Sequence, residues 1–235
     1  MVDSARKQPV DLKMQAAYFK TLSLNELLDP MQMRWSQVKE EKLPLTGTPV
    51  SSQPTAYIRS KWADRKTGNV TQVGVKAIHN GQTLAFHLRW RVSPDGSRSG
   101  KADEFPDAAA IALDASNSPS FHSMGASGHP LNIWHWRADV LNFGHQVTAT
   151  GIGTTDRIGE TEVKTSALQS PEGWQVVIAR NLKTVDHAGL AQLNIGDEVR
   201  FAVAVWDGSS EERGGLKAFS PQPLSINISD GGDRS

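Results

Sequence analysis

Alternation dominates the middle of the chain. QTLAFHLRWRV, residues 82–92, sets Leu84, Phe86, Leu88, Trp90 and Val92 on one side of an extended backbone and mostly polar residues on the other. VRFAVAVWDG, residues 199–208, alternates Val199, Phe201, Val203 and Val205 against Arg200, Ala202, Ala204 and Trp206. Its second face is small and apolar, so this strand is expected to be covered on both sides. TAYIRSKWA, TQVGVKAIH, AAIAL, LNIWHWRA, HQVTAT, WQVVIARNL and PLSINIS are further strand candidates. HNGQ, SPDGS, PEGW and WDGS punctuate them as turns, and HNGQ at 79–82 reads as a two-residue hairpin. Many short strands with no long helix between them predict an all-β chain, an antiparallel β-sandwich with a few short helices.

The first fifty residues read differently. DLKMQAAYFKTL, residues 11–22, has the composition of a short helix, and SLNE at 23–26 fits a capping box. KLPLTGTPVSSQPT then reads as an extended connector, and the polar SDGGDRS as a frayed tail. The expected organisation is an N-terminal arm over 1–26, a sandwich domain over 27–230 and a tail over 231–235.

Charge and composition narrow the function. Lys plus Arg and Asp plus Glu both number 25, so no basic excess points to nucleic acid or an anionic membrane. No apolar run approaches the about 20 residues that span a bilayer. The chain has no cysteine. That removes disulfides, thiolate zinc sites, iron–sulfur clusters, covalent c-type haem and a thiol nucleophile.

Most candidate chemistry fails on spacing. The seven histidines (79, 87, 122, 129, 135, 145 and 187) contain no HExxH and no compact triad with a carboxylate. His87 falls on the polar side of its strand and reads as a surface or hydrogen-bonded histidine. His135 lies between Trp134 and Trp136 and faces away from both rings. No GxSxG elbow is present, and TATGIGTTDRIGE lacks a GxGxxG that opens a helix. The seven tryptophans admit sugar stacking on a sandwich frame, with core packing as the ordinary alternative. Two loop residues remain. Met124 sits in SPSFHSMGASGHP among Gly125, Gly128 and Pro130. Lys217 follows Gly214 and Gly215 and is flanked by Leu216, Ala218 and Phe219. A lysine in an apolar run is a candidate for burial, and a neutral amine binds metal. Most lysines snorkel and most methionines fill gaps, so composition leaves the pair open.

The ordered blocks EFPDAAAIAL, MG, HPLNIWHWRAD, GWQVVIARNL and FAVAVWDGSSEERGGLKAFSP change that. Together, over about residues 27–230, the chain resembles the γ subunits of the type II dimethyl-sulfoxide-reductase enzymes, among them ethylbenzene dehydrogenase, dimethylsulfide dehydrogenase, chlorate reductase and selenate reductase. The resemblance implies a sandwich that holds one non-covalent haem b. Its axial ligands, carried onto the matching MG and ERGGLK positions, are Met124 and Lys217. It implies a non-catalytic electron-transfer subunit partnered by a molybdenum α subunit and an iron–sulfur β subunit, with a soluble c-type cytochrome as the external carrier. It also implies a periplasmic location, with a leader absent from this chain. Arg137 and Arg180 stand as candidates for the propionates. The competing expectations are a carbohydrate-binding sandwich, which is colourless, and a zinc hydrolase, which depends on histidine.

Overall fold

The computed structural model describes residues 13–92, 105–114, 121–159, 162–187 and 189–231. Residues 1–12 of the expected arm, the SPDGS turn and the tail beyond 231 lie outside the described residues. The strands, in chain order, are β1 (Lys13–Tyr18), β2 (Glu41–Pro44), β3 (Thr46–Gly47), β4 (Gln72–His79), β5 (Thr83–Trp90), β6 (Ala108–Asp114) and β7 (Leu131–Arg137). They continue with β8 (His145–Ala149), β9 (Thr155–Arg157), β10 (Lys164–Ser170), β11 (Gly173–Asn181), β12 (Glu198–Trp206), β13 (Ala218–Phe219) and β14 (Leu224–Ile228). Two short helices, α1 (Leu24–Leu28) and α2 (Ala56–Lys61), complete the regular structure with a few 3-10 turns.

One hydrogen-bonded path runs β10-β11-β5-β4-β1-β14-β12-β6-β7-β8-β9, with β2 beside β4, and β13 joining β12 to β3. The path folds back on itself. Phe86 of β5 and Phe201 of β12 are far apart along it, yet their rings are 5.3 Å apart. Trp136 of β7 meets Trp90 of β5 at 6.0 Å and Trp174 of β11 at 5.0 Å. These contacts close one apolar core between two facing halves, the sandwich that the alternation predicts. Trp134 and Trp136 both belong to this core.

Every pairing of the described strands is antiparallel except the two made by β1, which runs parallel to β14 and to β4. This corrects the helix expected over 11–22. A short segment gains little from helix propensity alone, since nucleation is costly. Here it pairs with an open edge on each side, putting Met14 and Ala16 into the central core and Ala17 against a second cluster. The strand expected over TAYIRSKWA is instead α2. Its aromatic and branched residues suggested a strand. Thr55 caps the helix by accepting from the Ile58 N–H at 3.3 Å, and Arg59 and Lys61 sit in its last turn, where the dipole favours cations. The Ser23–Glu26 capping box forms as read. The HNGQ hairpin joins β4 to β5, with the Asn80 N–H bonded to the Thr83 carbonyl.

The two outer faces differ. The face of β4, β5 and β11 is covered by residues 19–38, which bury Phe19, Leu22, Leu27, Trp35 and Val38 against Ile78, Ala85, Val177 and Ala179. His87, expected on a polar surface, is therefore buried under Trp35, ring to ring at 5.1 Å, and loss of water pushes it down to about 4. Among the described residues, the outer face of β6, β7 and β12 carries no comparable helical cover and opens instead into a cavity.

Removing a ring that bridges the two halves tests this core. Phe86→Ala is expected to cost about 3–5 kcal/mol in urea unfolding. Tyr57→Ala, on the exposed side of α2, is expected to stay within about 0.5 kcal/mol.

Candidate functional site

Alternation builds a cavity floor on the uncovered face. Ala108, Ala110 and Ala112 of β6 share it with Ala202 and Ala204 of β12, and the register sets Ala110 opposite Ala204 and Ala112 opposite Ala202. Methyl groups where other strands carry Leu or Ile leave an apolar depression. Leu131, Ile133 and Val147 extend it across β7 and β8. Loops 48–53, 121–124 and 212–217 rise around it to enclose about 670 Å³. That is the range of small-molecule and cofactor sites, and a mostly apolar lining with a few polar groups is their usual make-up.

Both loop residues singled out in the sequence reach this cavity. Lys217 is only 7% exposed, and its Nζ lies 3.3 Å from the Met124 Sδ. Nζ also sits 5.2 Å from the centre of the Trp206 ring. No carboxylate pairs with it among the described ion pairs. Loss of water alone pushes its amine down to about 8.

The Lys217 loop is clamped on all sides. Thr48 donates its backbone N–H to the Lys217 carbonyl at 2.9 Å, and the Lys217 N–H donates to Thr48 Oγ1 at 3.2 Å. Thr48 Oγ1 and Gln53 Nε2 both donate to the Gly215 carbonyl, at 2.6 and 3.1 Å. A Cβ on Gly215 would fall 2.2 Å from Gln53 Oε1, so a side chain there would displace the Gln53 amide, while Gly214 has open space around it and a φ of +55°. Trp206 Nε1 donates to the Gly214 carbonyl at 3.0 Å. Glu212, 1% exposed, accepts from the backbone N–H groups of Gly68 and Asp207. Burial raises its pKa above the ordinary value despite those bonds.

The Met124 loop is short and strained. Met124 itself has φ +59°, an uncommon region for a residue with a side chain. Gly125 follows at φ +89°, and a Cβ there would sit 2.1 Å from the Ala149 carbonyl oxygen. The Met124 N–H is bonded to the Phe121 carbonyl at 3.1 Å, and residues 126 and 129 close a tight bridge.

The histidines divide. His122 is exposed at the cavity rim, its ring edge-on to Phe219 at 6.4 Å. His135 lines the floor, 5.2 Å from Trp206, on the opposite side of β7 from Trp134 and Trp136, as its parity requires. Loss of water, then the charges of His145, Arg137, Arg157 and Lys217, push it down to about 3. Among the described residues no three His, Asp or Glu converge as a metal cluster. Of the two candidate arginines, Arg137 lines the cavity. Arg180 does not. It is buried in the core, donating to Asn132 Oδ1 at 2.9 Å with its guanidinium 4.8 Å over Trp134. Trp206, the alanine floor, the Thr48–Gln53 clamp and Arg157 were not singled out as site residues. The small second face of VRFAVAVW and the matching alanines of AAAIAL were the legible signal for the floor.

Comparison with known proteins places this geometry among relatives. The sequence profile described as ethylbenzene dehydrogenase matches residues 32–157 and 144–218, segments that include Met124 and Lys217. A Haloferax mediterranei protein named "Putative respiratory nitrate reductase heme subunit ORF7" is 28% identical over 81% of this chain and 65% of its own length. The chlorate reductase subunit gamma of Ideonella dechloratans is 28% identical over 66% of this chain and 64% of its own. The dimethylsulfide dehydrogenase subunit gamma of Rhodovulum sulfidophilum is 26% identical over 94% of this chain and 80% of its own. The chain thus spans just under two thirds of the first two relatives. A family 9 carbohydrate-binding module from Caldicellulosiruptor kristjanssonii, solved with glucose, matches 95% of this chain and 100% of its own at 9% identity and a TM-score of 0.47, which is too distant to carry an argument.

Burying an amine has a measurable cost in the cofactor-free protein. The Lys217 pKa is about 8 in the folded chain against an ordinary 10.5. The unfolded chain therefore binds more protons between these values, and the penalty, complete below about pH 8, fades as pH rises toward 10.5. Lys217→Met is expected to stabilise the cofactor-free protein by up to about 3 kcal/mol near pH 7. The gain should shrink over pH 8–10.5. Thermal melts across that range check both the sign and the window.

Proposed function

This chain belongs to the ethylbenzene dehydrogenase family, and from that premise we propose that it is an electron-transfer subunit whose cavity holds one haem b between Met124 and Lys217. The observation that carries the reading is the meeting of a buried amine and a thioether at 3.3 Å over an alanine-lined apolar floor. The relatives named as a heme subunit and as gamma subunits support it.

The residues fit the group. A cavity of about 670 Å³ with five alanines on its floor suits a planar apolar ring. The absence of cysteine suits a haem held without covalent links. Were Lys217 and Met124 to hold the haem, their present 3.3 Å contact would open to admit it. When bound, haem b supplies one-electron Fe(II)/Fe(III) chemistry. Lys217 contributes an amine whose proton is weakened by burial, which lowers the cost of the deprotonation that binding a metal requires. Met124 contributes a soft thioether, which favours the ferrous state and raises the potential. The apolar walls keep water out and act on the potential in the same direction. Held by both Met124 and Lys217, the haem would offer a substrate no open position, so the chain would carry electrons and leave catalysis to its partners.

Those partners, in this reading, are a molybdenum subunit and an iron–sulfur subunit, with a soluble c-type cytochrome as the outside carrier and the periplasm as the compartment.

Spectra of haem-loaded variants test the assignment. Lys217→Ala is expected to keep haem but open a position that binds carbon monoxide. Met124→Ala is expected to lower the midpoint potential or lose haem. Ala110→Phe, filling the floor, is expected to fold and take up no haem. Wild-type spectra in both ligand variants would remove Met124 and Lys217 from the site.

A further inference from the structure

The cavity holds a concentration of positive charge that the axial pair does not use. Arg137 of β7, His145 of β8 and Arg157 of β9 share the sheet face that carries the alanine floor. The register sets Arg137 opposite Ala108, His145 opposite His135 and Arg157 opposite Val147. Arg137 and Arg157 both line the cavity. Across the sheet the order is β13, β12, β6, β7, β8, β9, so Arg157 stands at the far side from the loop that carries Lys217. Desolvation and then the two guanidinium charges hold His145 below its ordinary value, which places all three groups in one electrostatic neighbourhood.

Only part of this charge is met. Arg137 donates to both oxygens of Asp139, at 2.9 and 2.7 Å. Arg157 has no carboxylate partner among the described residues. Its neighbour Asp156 points to the other side of β9 by alternation. Arg213, also at the cavity, stacks 4.0 Å from the Phe105 ring and acts on Glu211. Arg180 is in the core. An apolar floor with unmatched guanidinium charge at one end is complementary to a flat apolar molecule bearing carboxylates along one edge.

We propose that Arg157, supported by Arg137, forms the carboxylate-binding end of the cavity and fixes the orientation of haem by pairing with its propionates. This rests on the haem reading above. It assigns specificity to residues outside the axial ligands, on a strand that sequence patterning did not reveal.

The test is an absorption titration of the cofactor-free protein with two probes, haem b and its dimethyl ester, which lacks the charges. The wild type is expected to bind haem b at least about tenfold more tightly than the ester, the scale of one charge-assisted bond. Arg157→Gln is expected to lose that preference while binding the ester as the wild type does. Arg157→Lys should keep part of it. A wild type that binds both probes equally, or an Arg157→Gln variant that keeps the full preference, overturns this assignment and leaves the haem reading standing. A wild type that takes up neither probe overturns both.

Discussion

An amine held out of water organises this molecule. Burying a lysine without a carboxylate costs free energy, and the fold supports it with a clamp made of parts distant in sequence. Thr48 and Gln53 from the segment before α2 fix the backbone at Gly215 and Lys217. Glu212 ties the same loop to Gly68 and Asp207. Trp206 offers its ring to the amine and its indole N–H to the Gly214 carbonyl. With the loop held this firmly, Nζ has little freedom to snorkel toward solvent, and the Met124 thioether is the group it meets. A loop under that much restraint holds the amine in one place within the cavity.

The contrast between the two outer faces makes the same point at the level of the fold. A sandwich needs only its inner faces to be apolar. On one side the chain spends residues 19–38 on covering an apolar outer face with Phe19, Leu27 and Trp35. On the other it presents a mostly apolar face, trims its centre to alanine and leaves it beneath a ring of loops. Filling the first and hollowing the second separates stability from function. The core carries the fold, so the hollow is free to be shaped for a guest.

Much of the frame was legible because alternation is a local signal. β4, β5, β6, β7, β8, β11, β12 and β14 all follow from it. The failures have physical causes. Lys13–Tyr18 shows weak local preference and takes its state from two strand edges contributed by residues near 78 and 226. Ala56–Lys61 is decided by the Thr55 cap against the β preference of Tyr57 and Ile58. His87 was placed correctly on a face, but only the packing of Trp35 reveals that the face is covered. Met124 and Lys217 lie 93 residues apart, so no periodicity could join them. Only a family resemblance named them together, and the fold brings their side chains into contact. Arg157 escaped because β9 is three exposed residues with no pattern of its own.

The most direct test of the central claim is the absorption spectrum of the purified, haem-supplied protein, recorded oxidised, after dithionite, and again under carbon monoxide. The account predicts sharp low-spin b-type bands in both states and no change on adding carbon monoxide, since amine and thioether fill both axial positions. A colourless protein that takes up no added haem, or a bound haem whose reduced spectrum shifts under carbon monoxide, would contradict it.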